Sequence, residues 1–507
     1  MGTMTLMGTA PLRPHARSAP PADAAAKPGT VRTETLPNGV RIVIAERPGA
    51  SATRFQIGIG AGSLQDPVGK LGLAHLLEHL AFEGSPTRSA SQQERLRSQL
   101  GNDWNASTDR TEVRYYGVVP AQDAVEGAAL ITDMFRNPAT KGLRVAQELA
   151  AVRNEMVAYD GTLDGQSENI AERLVYGDGP ATNNIIGTRS STGAITPTDL
   201  REFHRSYFVG RNTVVLVDGD PERLALGTIR HELGALPAGA RVDNSDVKRT
   251  IQPGRALQVV NEASTSTVAL DVLVPIAEAH LKRSRSDAAK RLLVSSIGSR
   301  LHERLRRVDH LTYGTDVTLE PGSDTGRGQA LLRVRTNVAA AHAAPALGRI
   351  VETLKDAIDG FGPKTFDRDL AELRARLRAQ PPDVPPTTSQ LAEATFDRAF
   401  QGPRIKAATA RELTPTSRAS LHSALERLTL ETAVETAANL ISLDNLKVVA
   451  IGALPDGGGA LLDALRGAGI PSASVTRNPV DLSQYREMGI AVPKGSTPPV
   501  RPSRRGD

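Results

Sequence analysis

The segment NTVVLVDG, residues 212 to 219, has a counterpart in NLKVVAIG, residues 445 to 452. Asn212, Val215 and Gly219 recur with the spacing of Asn445, Val448 and Gly452, and a proline follows each glycine within three residues (Pro221, Pro455). What precedes each segment also corresponds. STVALDVLVP stands in the place of ATRFQIGIGAG, and DAAKRLLVSSIGSRL in the place of GLAHLLEHLAF. A chain that repeats itself this way is built from two copies of one unit. At 507 residues it is also too long for a single core. Two related α/β domains are therefore expected, over 31–238 and 253–475, joined by a linker at 239–252. The proline- and alanine-rich residues 1–30 read as a disordered leader, and 476–507 as a flexible tail.

Within the first unit, LPNGVRIVI reads as a turn at Asn38–Gly39 followed by a strand. WNASTDRTEVRYYGVVP reads as strand and turn, and LRVAQELAAVRNEMVAYDGT as a long helix. Several functions are disfavoured. Basic and acidic residues nearly balance, 61 against 56, and only 3% of residues are aromatic, so nucleic acid is not an expected partner. There is no cysteine, which removes disulfides, thiolate metal sites and a cysteine nucleophile. The leader has no secretory core, and no apolar run approaches the roughly 20 residues of a membrane helix. No membrane association is expected, and a cytoplasmic location is. GIGAG at 58–62 falls short of a dinucleotide fingerprint, and Gly69–Lys70 is not a phosphate loop.

Histidine is scarce, ten in the chain, yet His75 and His79 stand four apart with Glu78 between them. On a helix, positions i and i+4 share a face, so both imidazoles can reach one metal ion. H-x-x-E-H arises by chance in on the order of one in a hundred such chains, so a third ligand is needed. With no cysteine it must be a histidine or a carboxylate. Glu148 and Glu155 lie two helical turns apart on one predicted helix and are both candidates, although such a pair is more often a solvated face.

These residues, with LPNGVRIVI, FQIGIGAGSLQD, NASTDRTEVRYYGVVP and DLREFHRSYFVGRNTVVLVDGD, resemble the pitrilysin/insulinase zinc metallopeptidases, the inverzincins. The two-domain processing-peptidase-like members are the most similar, over roughly residues 31 to 470. The resemblance implies an α+β fold of two domains, each a mostly antiparallel sheet packed with helices, forming half of a clam-shaped peptidase. It implies one Zn2+ per chain held by His75, His79 and Glu155, with Glu78 as general base; Glu148 is then a candidate to orient a histidine or to help anchor the metal site. The implied reaction is endopeptidase cleavage of small extended or unfolded peptides, for processing or degradation.

Other elements carry over less completely. LRRVDHLTY is similar to the family's substrate-contacting arginine and tyrosine, here Arg306 and Tyr313. Arg307 replaces a usual glutamate and His310 a usual glycine, which puts the turn in doubt. Asn105, Ala106, Ser107 and Thr108 match the strand beside which the family binds peptide, and Trp104 precedes it, as a cleft residue or a packed aromatic. The expected partner is a related two-domain subunit, in a homodimer or a heterodimer. The rival reading is a non-catalytic assembly subunit, in which the zinc motif degenerates; here it is whole.

Overall fold

The computed structural model describes residues 29–160, 163–244, 249–262, 265–284, 286–321, 329–360, 362–379, 387–400, 418–472 and 475–481. The expected leader, apart from its last two residues, falls outside these.

Two six-stranded mixed sheets carry the fold. The first runs β1 (Thr30–Thr35), β2 (Arg41–Glu46), β6 (Thr213–Gly219), β3 (Ala52–Ile59), β5 (Val113–Pro120), β4 (Trp104–Thr108). The second runs β12 (Val475–Asp481), β7 (Arg255–Asn261), β11 (Lys447–Gly452), β8 (Thr267–Ile276), β10 (Ala330–Ala339), β9 (Thr312–Pro321). The repeat read from the sequence is thus one of topology. β6 pairs parallel with β2 and antiparallel with β3, as β11 does with β7 and β8. The repeated glycines have a steric reason. A Cβ on Gly219 would strike Thr53 near the start of β3, and one on Gly452 would strike Thr267 and Val268 at the start of β8.

The edges differ. β1 closes one side of the first sheet antiparallel to β2, whereas β12 lies parallel to β7. Val475–Asp481 is therefore a strand of the second sheet, where the start of a flexible tail was expected. A polar, proline-bearing strand suits an edge, because one side of its backbone has no strand partner among the described residues. The remainder of the tail lies outside the described residues.

The boundary between the units is less clean than a linker at 239–252 suggests. β2 and β6 are buried almost throughout, which requires cover on both faces. Ile42, Ile44, Val215 and Val217 face the first unit's own helices. Val43, Ala45, Val214 and Leu216 instead meet Ala392, Phe396 and Ala399, on the helix Thr388–Ala399 from the second half. The second sheet is treated reciprocally. Leu273, Val449 and Ile451 pack against Ile170, Ala171 and Val175 of the helix Leu163–Tyr176 from the first half. Each half thus lends the other a helix. Arg249, in the expected linker, is itself buried, its guanidinium 4.9 Å from the Tyr176 ring centroid; residues 245–248 of that linker fall outside the described residues.

Ion pairs clamp both exchanged helices. Arg114 of β5 reaches Asp397 at 2.8 Å, and Arg54 of β3 pairs with Glu393. In the second sheet Arg333 of β10 pairs with Asp271 of β8 at 2.9 Å and with Glu168 at 3.0 Å, and Ser167 donates to Asp271 at 3.0 Å. No helix among the described residues is long and apolar enough to cross a membrane.

Candidate metal centre

The H-x-x-E-H segment forms a short helix, Leu73–Leu80, and it is a core helix first. Leu73, Ala74, Leu76, Leu77 and Leu80 are all buried in the first unit's core. Its entry is unusual. Gly72 takes a left-handed φ of 92°, and Asp66, six residues upstream, accepts the Gly72 N–H at 2.7 Å and the Ala74 N–H at 2.9 Å. Asp66 thereby does the work of an N-cap from a distance. Burial holds its carboxyl up at about 7 despite those backbone donors. The sequence reading missed this residue, because no local capping spacing marks it.

On the remaining face the two imidazoles stand edge to face, 4.7 Å between centroids. Glu155 comes to them from the helix Gly142–Asp160, which seats Val145, Val152 and Met156 in the same core. Its Oε2 lies 3.7 Å from His75 Nε2 and 3.4 Å from His79 Nε2. One ligand atom from each of the three falls within 4.8 Å of the others, a spacing that a single cation can bridge. Two imidazole nitrogens and one carboxylate are a donor set that suits zinc and leave a fourth position open.

Glu148, the other glutamate candidate, meets the back of the site: its Oε2 is 3.2 Å from His79 Nδ1. A carboxylate there makes Nδ1 the donor, so Nε2, toward Glu155, is the nitrogen a metal would take. The electrostatics favour a cation. Burial, with His79 alongside, pushes His75 down to about 4, so it is a neutral imidazole. Burial also acts against charge on His79, but its hydrogen bonds to Glu148 and Glu155 outweigh that and lift it to about 10. Without a metal, a proton therefore balances the carboxylates around His79.

Glu78 is buried on the same helix, and burial holds its carboxyl up at about 7. Its Oε2 accepts a hydrogen bond from Thr108 Oγ1 at 2.6 Å. Thr108 ends β4, the edge strand, which among the described residues is bonded to β5 alone. Along β4, Ala106 is buried and Asn105 exposed, and the Ala106 N–H is taken by Asn105 Oδ1 at 2.9 Å. Trp104 rests on Gly117, where any Cβ would collide with the indole, so it is a packed aromatic.

Arg306 and Tyr313 sit in the second unit, on elements other than the two helices that carry this cluster. Arg306 is exposed on a π-helical turn, His302–Val308, and Tyr313 in β9 is 93% exposed. The turn forms without the expected glycine. His310 adopts φ 52°, and Leu311 N–H closes on Leu305 O at 2.7 Å. Histidine is among the side chains that tolerate the left-handed region.

Residues 41–189, which hold the histidine helix and both glutamates, match the model of the insulinase family, peptidase family M16, and residues 194–373 match the M16 inactive domain. The chain belongs to the M16 peptidase family. Among M16 relatives, an uncharacterized zinc protease of Mycobacterium tuberculosis is 27% identical over 310 residues, 60% of this chain and 70% of that one. The mitochondrial-processing peptidase subunit beta of Saccharomyces cerevisiae is 30% identical over 199 residues, 39% and 43% of the two chains. The periplasmic protease PqqL of Escherichia coli shares the fold, with TM-score 0.67 and 18% identity, over 88% of this chain and 51% of that one. Its first half alone matches with TM-score 0.66 and 18% identity, over 89% and 96% of the two chains. This chain thus matches the extent of the first half of PqqL.

Proposed function

We propose that the protein is a zinc-dependent endopeptidase for small extended or unfolded peptides. The convergence of His75, His79 and Glu155 on one point, with the Glu78 carboxylate on the same helix, carries this reading. The three side chains would hold one zinc ion per chain. Zinc, when bound, supplies Lewis-acid polarisation of a carbonyl and a water acidic enough to attack near neutral pH. Glu78 takes the proton of the attacking water on a carboxylate oxygen and hands it to the leaving amine. Its raised pKa suits a group that must both accept and return a proton near pH 7. Glu148 keeps His79 in the tautomer whose Nε2 faces the ion.

The peptide adds as a strand along the open edge of β4, by backbone hydrogen bonds that demand an extended chain more than a particular sequence. It replaces Asn105 Oδ1 as the partner of the Ala106 N–H. Arg306 and Tyr313 contact the peptide of a second M16 unit facing this one, in a homodimer or a heterodimer. The exposure of both supports that reading, as does the match to the first half of PqqL.

The test is metal analysis, mass in solution and cleavage of a quenched peptide library by the purified chain, beside Glu78→Gln. One zinc per chain, a dimer mass and cleavage abolished in the variant are expected. Absence of both zinc and cleavage would overturn the proposal. Zinc and a monomer mass, with cleavage appearing only on adding a related subunit, would select the heterodimer.

A further inference from the structure

We propose that Thr108 is a positioning residue for the general base, its hydroxyl holding the Glu78 carboxylate while its backbone belongs to the strand that receives the peptide. This rests on the peptidase reading above. Thr108 Oγ1 donates to Glu78 Oε2 at 2.6 Å, the one hydrogen bond to that carboxylate among the described residues. A glutamate has three side-chain torsions and does not hold one orientation unaided. With Oε2 occupied, rotation of the carboxylate is blocked and Oε1 remains to accept the proton.

The donor is itself fixed. Thr108 is opposite the buried Val113 in the β4–β5 hairpin. The turn that follows is pinned by Asp109 N–H to Glu112 O at 2.8 Å and by Ser63 N–H to Asp109 O at 3.1 Å. A β-branched side chain on such a backbone has few rotamers. Strand alternation explains the division of labour: Ala106 and Thr108 project to the inner face, while Asn105 and Ser107 project to the other. A peptide adding to the open edge of β4 is thereby registered against the same residue that sets the base.

Threonine lends itself to a clean separation, because valine keeps its shape without the hydroxyl and serine keeps the hydroxyl without the branch. The experiment compares Thr108→Val and Thr108→Ser with the unaltered full chain, zinc-loaded. It measures zinc per chain, melting temperature, and kcat and KM on one quenched peptide. For Thr108→Val, zinc and melting temperature should hold while kcat falls about ten-fold or more, the loss of one hydrogen bond to a charged group, with KM within about two-fold. Thr108→Ser should retain most of kcat. Wild-type kcat in Thr108→Val, or equal impairment in Thr108→Ser, would overturn the assignment. Zinc loss or a lowered melting temperature in Thr108→Val would overturn it too, since the hydroxyl would then serve the metal or the fold. An unaltered chain without zinc and without cleavage would bring down the peptidase reading itself, and this inference with it.

Discussion

Glu148 and Glu155 stand two turns apart on one helix and meet the same imidazole from different sides, Glu148 at Nδ1 and Glu155 at Nε2 of His79. In the proposed zinc site the two nitrogens have different tasks, so the two glutamates would not be interchangeable. Glu148→Gln should weaken zinc binding about 10- to 100-fold, the usual effect of losing a carboxylate behind a metal-bound histidine. Competition with a chromogenic chelator reads this directly. A chain that binds zinc equally well with glutamine at 148 would assign that residue to the surface of the helix.

Removing the metal should unsettle the first unit more than the second. The proposed ligands come from two helices that share a core, so an ion bridging them would tie those helices together. Dialysis against a strong chelator should lower the melting temperature, and excess zinc should restore it. His75→Ala should melt at the chelated temperature with or without zinc.

Arg333 and Asp271 form a buried pair, their side chains 3% and 2% exposed. Breaking such a pair from one side leaves a charge without its partner, which costs about 3–5 kcal/mol. Asp271→Ala should fall toward the lower end, about 3 kcal/mol, because Glu168 and Glu320 still face the guanidinium. Replacing both members with leucine should cost less than the single change. Urea denaturation of the two variants settles the order.

The exchanged helices make the halves dependent on each other. A chain ending at residue 244 lacks the helix Thr388–Ala399 and exposes Val43, Ala45, Val214 and Leu216 as one apolar surface. It should aggregate when expressed alone and become soluble when co-expressed with residues 249–481. Solubility of the isolated fragment would show that the lent helix is dispensable.

Asp199 supplies an acid-sensitive contact at the start of the helix Pro197–Tyr207, where Thr196 and Asp199 form a capping box. Burial opposes its charge, but hydrogen bonds from Lys70 and Thr196 hold its carboxyl down at about 2, below the ordinary 3.8. The folded form binds its proton less readily than the unfolded chain does. Its contribution is therefore complete above pH 3.8 and lost as pH falls through about 2. Asp199→Asn should be less stable than the unaltered chain at pH 5, and the gap should close as pH falls toward 2.

Sequence alone determined what depends on local spacing. A four-residue interval puts His75 and His79 on one helical face whatever surrounds them, and a seven-residue interval does the same for Glu148 and Glu155. The repeat of Asn, Val and Gly marked β6 and β11 because each needs a glycine where the next strand passes too close for a side chain. Tertiary structure decided what depends on which elements meet. It set Glu148 and Glu155 on different nitrogens of His79, joined Thr108 to Glu78, and made Asp66 the cap of a helix it does not adjoin. It also passed a helix from each half to the other and drew Val475–Asp481 into a sheet. No local pattern announces these, because an amphipathic helix records that it has an apolar face but not whose sheet will cover it.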